Sequence, residues 1–405
     1  MSSDISDRAE DSSKVSIWND PKARGIFFQV ILVAVIGYLI WALVDNTIRN
    51  LEARKIASGF GFLNTTASFG INQTLIQYSE SSSYGRVFII GLLNTLLVAG
   101  VGVFFATLIG FAVGIMRLSK NWVIAKIATV YVETLRNLPL LLQILFLYIA
   151  VLRSVPGKRD KASLFDTIHI NVTGIWAPKP LPQDGFNLVI MALVLGLVLT
   201  FAISKWAKKR QMETGQQFPV AWTALGLIVG LPIATYFVMG SPLDWAYPEF
   251  RDTGSRLRLG FQLGTGIQII PEFLALLVAL SLYTASFIAE IVRAGILAIS
   301  YGQTEAASAL GIKNSHTLRL VIIPQAMRVI IPPLTSQYLN LTKNSSLAVA
   351  IAYPDLVSVF AGTVLNQTGQ AVEIIIMTMG VYLTISIVTS MFMNWYNAKV
   401  ALVER

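Results

Sequence analysis

The chain has 405 residues, 54% of them hydrophobic and only 13% charged, against about 25% charged in an average soluble domain. That balance excludes an ordinary soluble fold. A formal net charge of +9 comes without a compact basic patch interleaved with aromatics, so nucleic acid is not expected as a partner; cysteine is absent, which excludes disulfides and thiolate metal sites.

Residues 1–25 are polar and mixed in charge (Asp4, Asp7, Arg8, Glu10, Asp11, Lys14) and read as a disordered cytoplasmic tail, unlike a cleavable signal peptide. Five uncharged runs follow: Ile26–Val44, Val87–Met116, Phe186–Ser204, Phe218–Leu243 and Ile374–Ala398. Each meets the roughly 18–20 apolar residues that a helix needs to cross a bilayer. Three shorter runs, Asn137–Leu152, Phe273–Ala289 and Val329–Thr342, are flanked by Glu133 and Arg136, by Glu290 and Arg293, and by Arg328 and Lys343. Packed inside a bundle these also span, because charges at their ends can face protein or a water-filled cavity. Counting every run predicts an all-α polytopic membrane protein of about eight transmembrane helices.

Basic residues are densest in the short stretches 117–126, 205–217 and 293–323, which places these, with both termini, in the cytoplasm. Residues 45–85, 153–185 and 240–270 then lie outside. The last two are rich in Pro, Gly and aromatics and bracket the apolar pair 186–204 and 218–239. Those two helices read as peripheral, with Gly226 and Gly230 offering a small-xxx-small packing face.

Between the last spans comes a polar, helix-forming run, Glu305-Ala306-Ala307-Ser308-Ala309-Leu310-Gly311. Gly311 suits a left-handed helix C-terminus. Asn314 or Ser315 is expected to cap a second short helix running to Pro324, where the next span begins. Two short helices joined at an angle would form a rigid knob able to transmit a push from a moving partner. The spacing resembles the EAA loop of ATP-binding-cassette importer permeases. Tyr131 to Gln143, Tyr283 to Gly295, Tyr301-Gly302-Gln303, Pro324 to Arg328, Pro332-Pro333 and Leu341 to Leu347 resemble, in order and spacing, the permeases of polar amino acid importers of that class. Gly59 to Phe62, Ser83 to Arg86, Gly91 to Thr95 and the inserted helix pair are similar to the general L-amino acid subfamily.

That resemblance implies a type I ABC importer permease fold in the bacterial inner membrane. Its core would be residues 86–152 and 271–396, interrupted by an insertion at 153–270 with two extra transmembrane helices. Residues 26–85 would supply a first span and a periplasmic segment, and 397–405 a C-terminal tail. It further implies a second permease subunit, a homologous sister chain, two ATPase subunits that bind ATP and Mg, and a periplasmic amino-acid-binding protein. Glu305, Ala306, Ala307, Leu310, Gly311 and Pro324 would couple to the ATPase. The chain itself carries no G-x-x-x-x-G-K-[ST] loop, since Gly157-Lys158 is followed by Arg159. No cofactor is expected in this chain, and catalysis by it is not expected.

A zwitterionic substrate needs donors and acceptors on an apolar path, and broken helices expose backbone groups for that purpose. The expected breaks are Asn137-Leu138-Pro139, Pro332-Pro333 and Lys343 to Ser346. The pathway candidates are Glu133, Arg136, Ser281, Thr284, Gln337, Asn340, Lys343, Asn344 and Ser345. Interhelical hydrogen bonding is the alternative role for each, and a mutual ion pair for Glu133 and Arg136, three residues apart. Many relatives carry an acidic residue where this chain has Asn344. The neutral side chain points to a broad L-amino acid range, and Asn344→Asp is expected to alter the ratio of basic to neutral amino acid uptake. The only histidines, His169 and His316, fall on opposite sides of the membrane, so no histidine metal site is expected. The competing reading, an ion-coupled secondary amino acid transporter, would call for inverted repeats and midspan carboxylates; neither is evident, and the loop at Glu305 would be unexplained.

Overall fold

The computed structural model describes residues 21–53, 58–158, 160–251, 260–262 and 264–400. Most of the expected tail therefore lies outside the described residues, as does most of 397–405. Seven helices among the described residues are long and apolar enough to cross a membrane, or eight if one bent pair is a single span. Helix α1 (Pro21–Ala53) begins the series. Helix α2 (Tyr84–Met116) starts at Ser83, whose hydroxyl accepts from the Arg86 N–H.

Helix α3 (Trp122–Asn137) and helix α4 (Leu140–Ser154) meet at a 107° bend. Pro139 causes it: the residue before a proline is pushed out of the helical region, and Leu138 sits at φ −94°, ψ 134°. Proline also removes the N–H that would reach the carbonyl four residues back, here Leu135. The Gln143 amide takes its place, donating to Leu135 O at 2.9 Å and Leu138 O at 3.0 Å. Two of the carbonyls at this break, Leu135 O and Leu138 O, are thus already satisfied.

Helix α5 (Phe186–Thr214) packs on a rod made of α6 (Val220–Leu225), a π-turn at Gly226–Gly230, and α7 (Leu231–Val238). The close approach is at Gly196, where an added Cβ would lie 2.2 Å from Leu227 O. Gly226 and Gly230 have open space around them, so the small-xxx-small face expected there does not pack within the chain. No residue of the rod is buried, in keeping with a peripheral position.

The loops flanking this pair zip together in a way that apolar periodicity does not reveal. Strands 162–164, 168–171, 174–177 and 267–269 form an antiparallel sheet; 179–182 pairs with 243–246, and 250–251 with 260–261. The mostly helical fold thus carries a small β platform on the side away from Glu305. Trp176 is buried there and stacks on Phe261 at 4.9 Å, which stacks in turn on His169 at 5.3 Å. Burial and the nearby Lys161 charge hold the His169 imidazole below its ordinary pKa, partly offset by Asp166.

Helix α8 (Pro271–Leu297) is the central element. Small residues let α2 lie directly on it: a Cβ at Gly110 would sit 2.6 Å from Ile288 Cβ, and one at Gly114 would sit 2.8 Å from Ala289 O. This is the packing that helices use where lipid offers no hydrophobic contrast. Short helices α9 (Tyr301–Ala309) and α10 (Asn314–Thr317) follow. From α10 the chain winds through a π-turn at Leu318–Ile322 into α11 (Ile323–Asn344), with no break at Pro324. The second loop helix is therefore the first turn of a long span, and neither Asn314 nor Ser315 caps it with a side chain. Pro332 and Pro333 lie inside continuous α11, so the break expected there is absent. The break at Ser345 is present: the helix tightens to a 3₁₀ segment, Ser345–Ile351, before a π-wound stretch at Leu356–Val364, α12 (Leu365–Thr368) and α13 (Ala371–Val400). One core joins α2, α4, α8 and α11, and a second lies under the 60–84 segment against Phe360 and Ile374.

Candidate functional site

The loop after α8 is built to present a surface. Ser300 caps α9 by accepting from the Gly302 N–H at 3.3 Å. At the other end Gly311 takes φ 72° and donates to Ser308 O at 2.9 Å, while Ile312 N donates to Ala307 O at 3.0 Å. This pair of bonds is the Schellman arrangement, which satisfies the last carbonyls and fixes the exit angle. Ala307 and Thr317 are the buried residues of the two limbs. Gln325 donates to Gln303 across 3.3 Å, tying α9 to α11. Glu305, Ala306, Gly311 and Pro324 are exposed. Leu310 is 79% exposed and Leu320 65%, leaving large apolar groups on a rigid polar loop.

Near the C-terminal end of α8, five charges from the ends of three helices converge. Glu290 accepts from Arg293 at 2.6 Å and from Arg117, with Arg136 Nη1 4.0 Å away. Glu133 lies 3.7 Å from Arg117 Nη2. Glu133 and Arg136 do not pair with each other, as their spacing suggested they could; each turns to a partner on another helix. Arg136 also lies over the Phe287 ring, 5.1 Å from its centroid. Arg117 was missed by sequence reasoning because it reads as an ordinary loop cation, yet its side chain is only 10% exposed. It closes the C-terminal end of α2, where a positive charge complements the helix dipole.

The remaining pathway candidates divide. Ser281, Thr284 and Ser345 are buried. The Ser345 hydroxyl is spent on Thr342 O at 2.7 Å, whereas Ser281 Oγ has no hydrogen-bond partner among the described residues. Gln337 and Asn344 are half-buried. Asn340 and Lys343 are exposed, on one face of α11 with Pro332 and Ser336. That polar stripe runs along a span, where lipid is a poor neighbour for it.

A buried polar knot near Ser345 was not anticipated. The Asn94 amide donates to Gln73 O at 3.0 Å and Pro354 O at 2.8 Å; Tyr353 OH donates to Asn94 O at 3.2 Å; Leu356 N donates to Thr95 Oγ1 at 3.0 Å. Asp355, fully buried, caps the Leu356–Val364 stretch by accepting from Ser358 N at 2.8 Å. Gly91 permits the contact, since a Cβ there would lie 2.9 Å from Leu356 Cα. The only sequence signal was the Asn94-Thr95 pair inside an otherwise apolar span. No group of three or more metal-ligating side chains occurs among the described residues.

Residues 102–402 match the model of the binding-protein-dependent transport system inner membrane component family. The chain belongs to that family. The permease is 52% identical to the general L-amino acid transport system permease protein AapQ of Rhizobium johnstonii, over 95% of this chain and 94% of the relative. It is 52% identical to the putative amino-acid ABC transporter permease protein YhdX of Escherichia coli K12, over 95% and 96%. It is 43% identical to the glutamate/glutamine/aspartate/asparagine transport system permease protein BztB of Rhodobacter capsulatus, over 95% and 96%. The permease is a multi-pass inner-membrane protein and not an enzyme; in this family ATP is hydrolysed on a separate subunit, and a binding protein delivers the cargo.

Proposed function

We propose that this chain is the membrane-spanning permease subunit of an ATP-binding-cassette importer for L-amino acids, with the loop from Tyr301 to Ile322 as the seat of the ATPase. The observation that carries the loop assignment is its construction: a helix closed at Gly311, tied to α11 through Gln303 and Gln325, with Leu310 left exposed. A knob whose far limb runs unbroken into α11 converts a push at Leu310 into motion of that span. Glu305, Ala306, Ala307, Leu310, Gly311 and Pro324 are the coupling residues on this reading. ATP and Mg bind the partner ATPase, both termini face the cytoplasm, and the permease pairs with a homologous sister chain above two ATPase subunits. The exposed stripe of α11 borders the substrate path.

The ion-coupled alternative is not favoured: the relatives are subunits of ABC transporters, and a gradient-driven carrier has no use for the loop. The test is co-purification of the ATPase with the permease. A β-branched residue at φ 72° costs on the order of 1–2 kcal/mol, so Gly311→Val is expected to release the ATPase and abolish uptake. Asn tolerates that conformation, so Gly311→Asn should keep both. Retention of the ATPase by the Val variant would remove the loop from the coupling role.

A further inference from the structure

On the side away from Glu305, the β platform and the core enclose a cavity of about 1000 Å³. Its two walls come from different parts of the chain. Lys158, Trp176 and Gln268 belong to the insertion, while Asn72, Thr74 and Glu272 belong to the segment before α2 and to the first turn of α8. We propose that this cavity is a binding site for a free α-amino acid, held by its ammonium at Glu272 and its carboxylate at Lys158, between the insertion and the permease core.

Two charges of opposite sign line one water-accessible space, and no ion pair joins them. Glu272 accepts from Tyr148 OH at 2.9 Å through one oxygen, which orients the carboxylate and leaves the other oxygen free for a ligand. Gln268 is fixed by its bond to Thr173 O at 2.7 Å, and Trp176 by its own to Thr173 Oγ1 at 3.0 Å. Rigid polar anchors beside apolar surface are what a small polar ligand requires. A space much larger than one amino acid, with aromatic and aliphatic lining, suits a zwitterionic head common to all substrates and a side chain that varies. The segment that lends Asn72 and Thr74 to the cavity also touches the core: between them Gln73, which does not line the cavity, accepts from the Asn94 amide through its carbonyl and donates to Tyr353 OH at 3.3 Å. A ligand at Asn72 and Thr74 therefore sits one residue from the polar knot that adjoins the Ser345 break.

The inference rests on the reading of the chain as an amino acid permease, and the experiment separates the two. Wild-type importer complex in nanodiscs, without ATP or binding protein, is titrated with L-glutamine, with glutaminamide (no carboxylate) and with the α-hydroxy analogue of glutamine (no ammonium). Wild type should bind L-glutamine about tenfold more tightly than either analogue. Lys158→Met should erase the preference over the amide only, and Glu272→Gln, which keeps the acceptor for Tyr148, the preference over the hydroxy analogue only. Lys158 is exposed, so its replacement leaves folding intact. Uptake in vesicles with no binding of L-glutamine at the cavity, or equal losses for all three ligands in both variants, overturns the site while leaving the permease function standing. Absence of uptake by the intact wild-type complex overturns the permease reading instead.

Discussion

Glu290 shows what a single carboxylate does where three helix ends meet. It draws Arg117, Arg136 and Arg293 to one point and so pins the C-terminal ends of α2, α3 and α8. Arg117 is 10% exposed and Glu290 27%, so removing the carboxylate leaves a largely enclosed cation and costs less than the about 3–5 kcal/mol of a fully buried pair. Glu290→Ala is expected to lower the thermal midpoint of the purified protein clearly, because Arg117 stays enclosed without its carboxylate. Adding Arg117→Met should recover part of the loss. Equal midpoints for wild type and Glu290→Ala would show that the cluster stores no stability. The position of Glu133, Arg136, Glu290 and Arg293 at span ends was legible in the sequence, since charges interrupt apolar runs visibly. Their partners were not. Arg117 and Glu290 are separated by 173 positions, and no local spacing rule connects them.

At the scale of elements, the spans were legible because hydrocarbon thickness imposes a length on them. Three details escaped that logic for separate physical reasons. Strands 174–177 and 179–182 pair with 267–269 and 243–246 on the far side of the α5–α7 pair, so this part of the β platform looks like Pro- and Gly-rich loop when read locally. Pro332 and Pro333 were expected to break α11, since each removes a hydrogen bond and crowds the carbonyl four residues back, yet the helix continues through them. Here the buried neighbours Ile330, Ile331 and Leu334 hold the helix straight through. At Pro139 the same residue type does break the chain, and Gln143 then repairs the orphaned carbonyls. Gln143→Leu is expected to remove the amide from Leu135 O and Leu138 O, at less than the about 1–3 kcal/mol of a fully buried polar group, because both positions are only part-buried. Limited proteolysis near residues 136–140 should be faster in that variant than in wild type, while Gln143→Asn should fall between. Identical cleavage rates would mean that lipid or water satisfies those carbonyls as well as the amide does.

For the whole molecule, the distribution of polar groups on outward faces separates spans that meet lipid from spans that meet something wetter. Helix α13 turns Met379, Leu383, Ile387 and Met391 outward, an apolar face that a bilayer accepts. Helix α11 turns out Ser336, Asn340 and Lys343, which hydrocarbon would reject. A lone copy of this chain is therefore incomplete in a bilayer, and the α11 face must border water or another subunit. The natural absence of cysteine makes the contrast directly measurable, because a single introduced thiol reports its own surroundings. A thiol reacts with a charged reagent only as the hydrated thiolate. Asn340→Cys in the assembled importer is expected to be modified by a small cationic methanethiosulfonate at least about tenfold faster than Leu383→Cys, and saturating amino acid with binding protein should change its rate. If Asn340→Cys is as unreactive as Leu383→Cys in both resting and ATP-energised complexes, the α11 stripe is sealed in a dry contact, and the path for substrate must run along another face of the bundle.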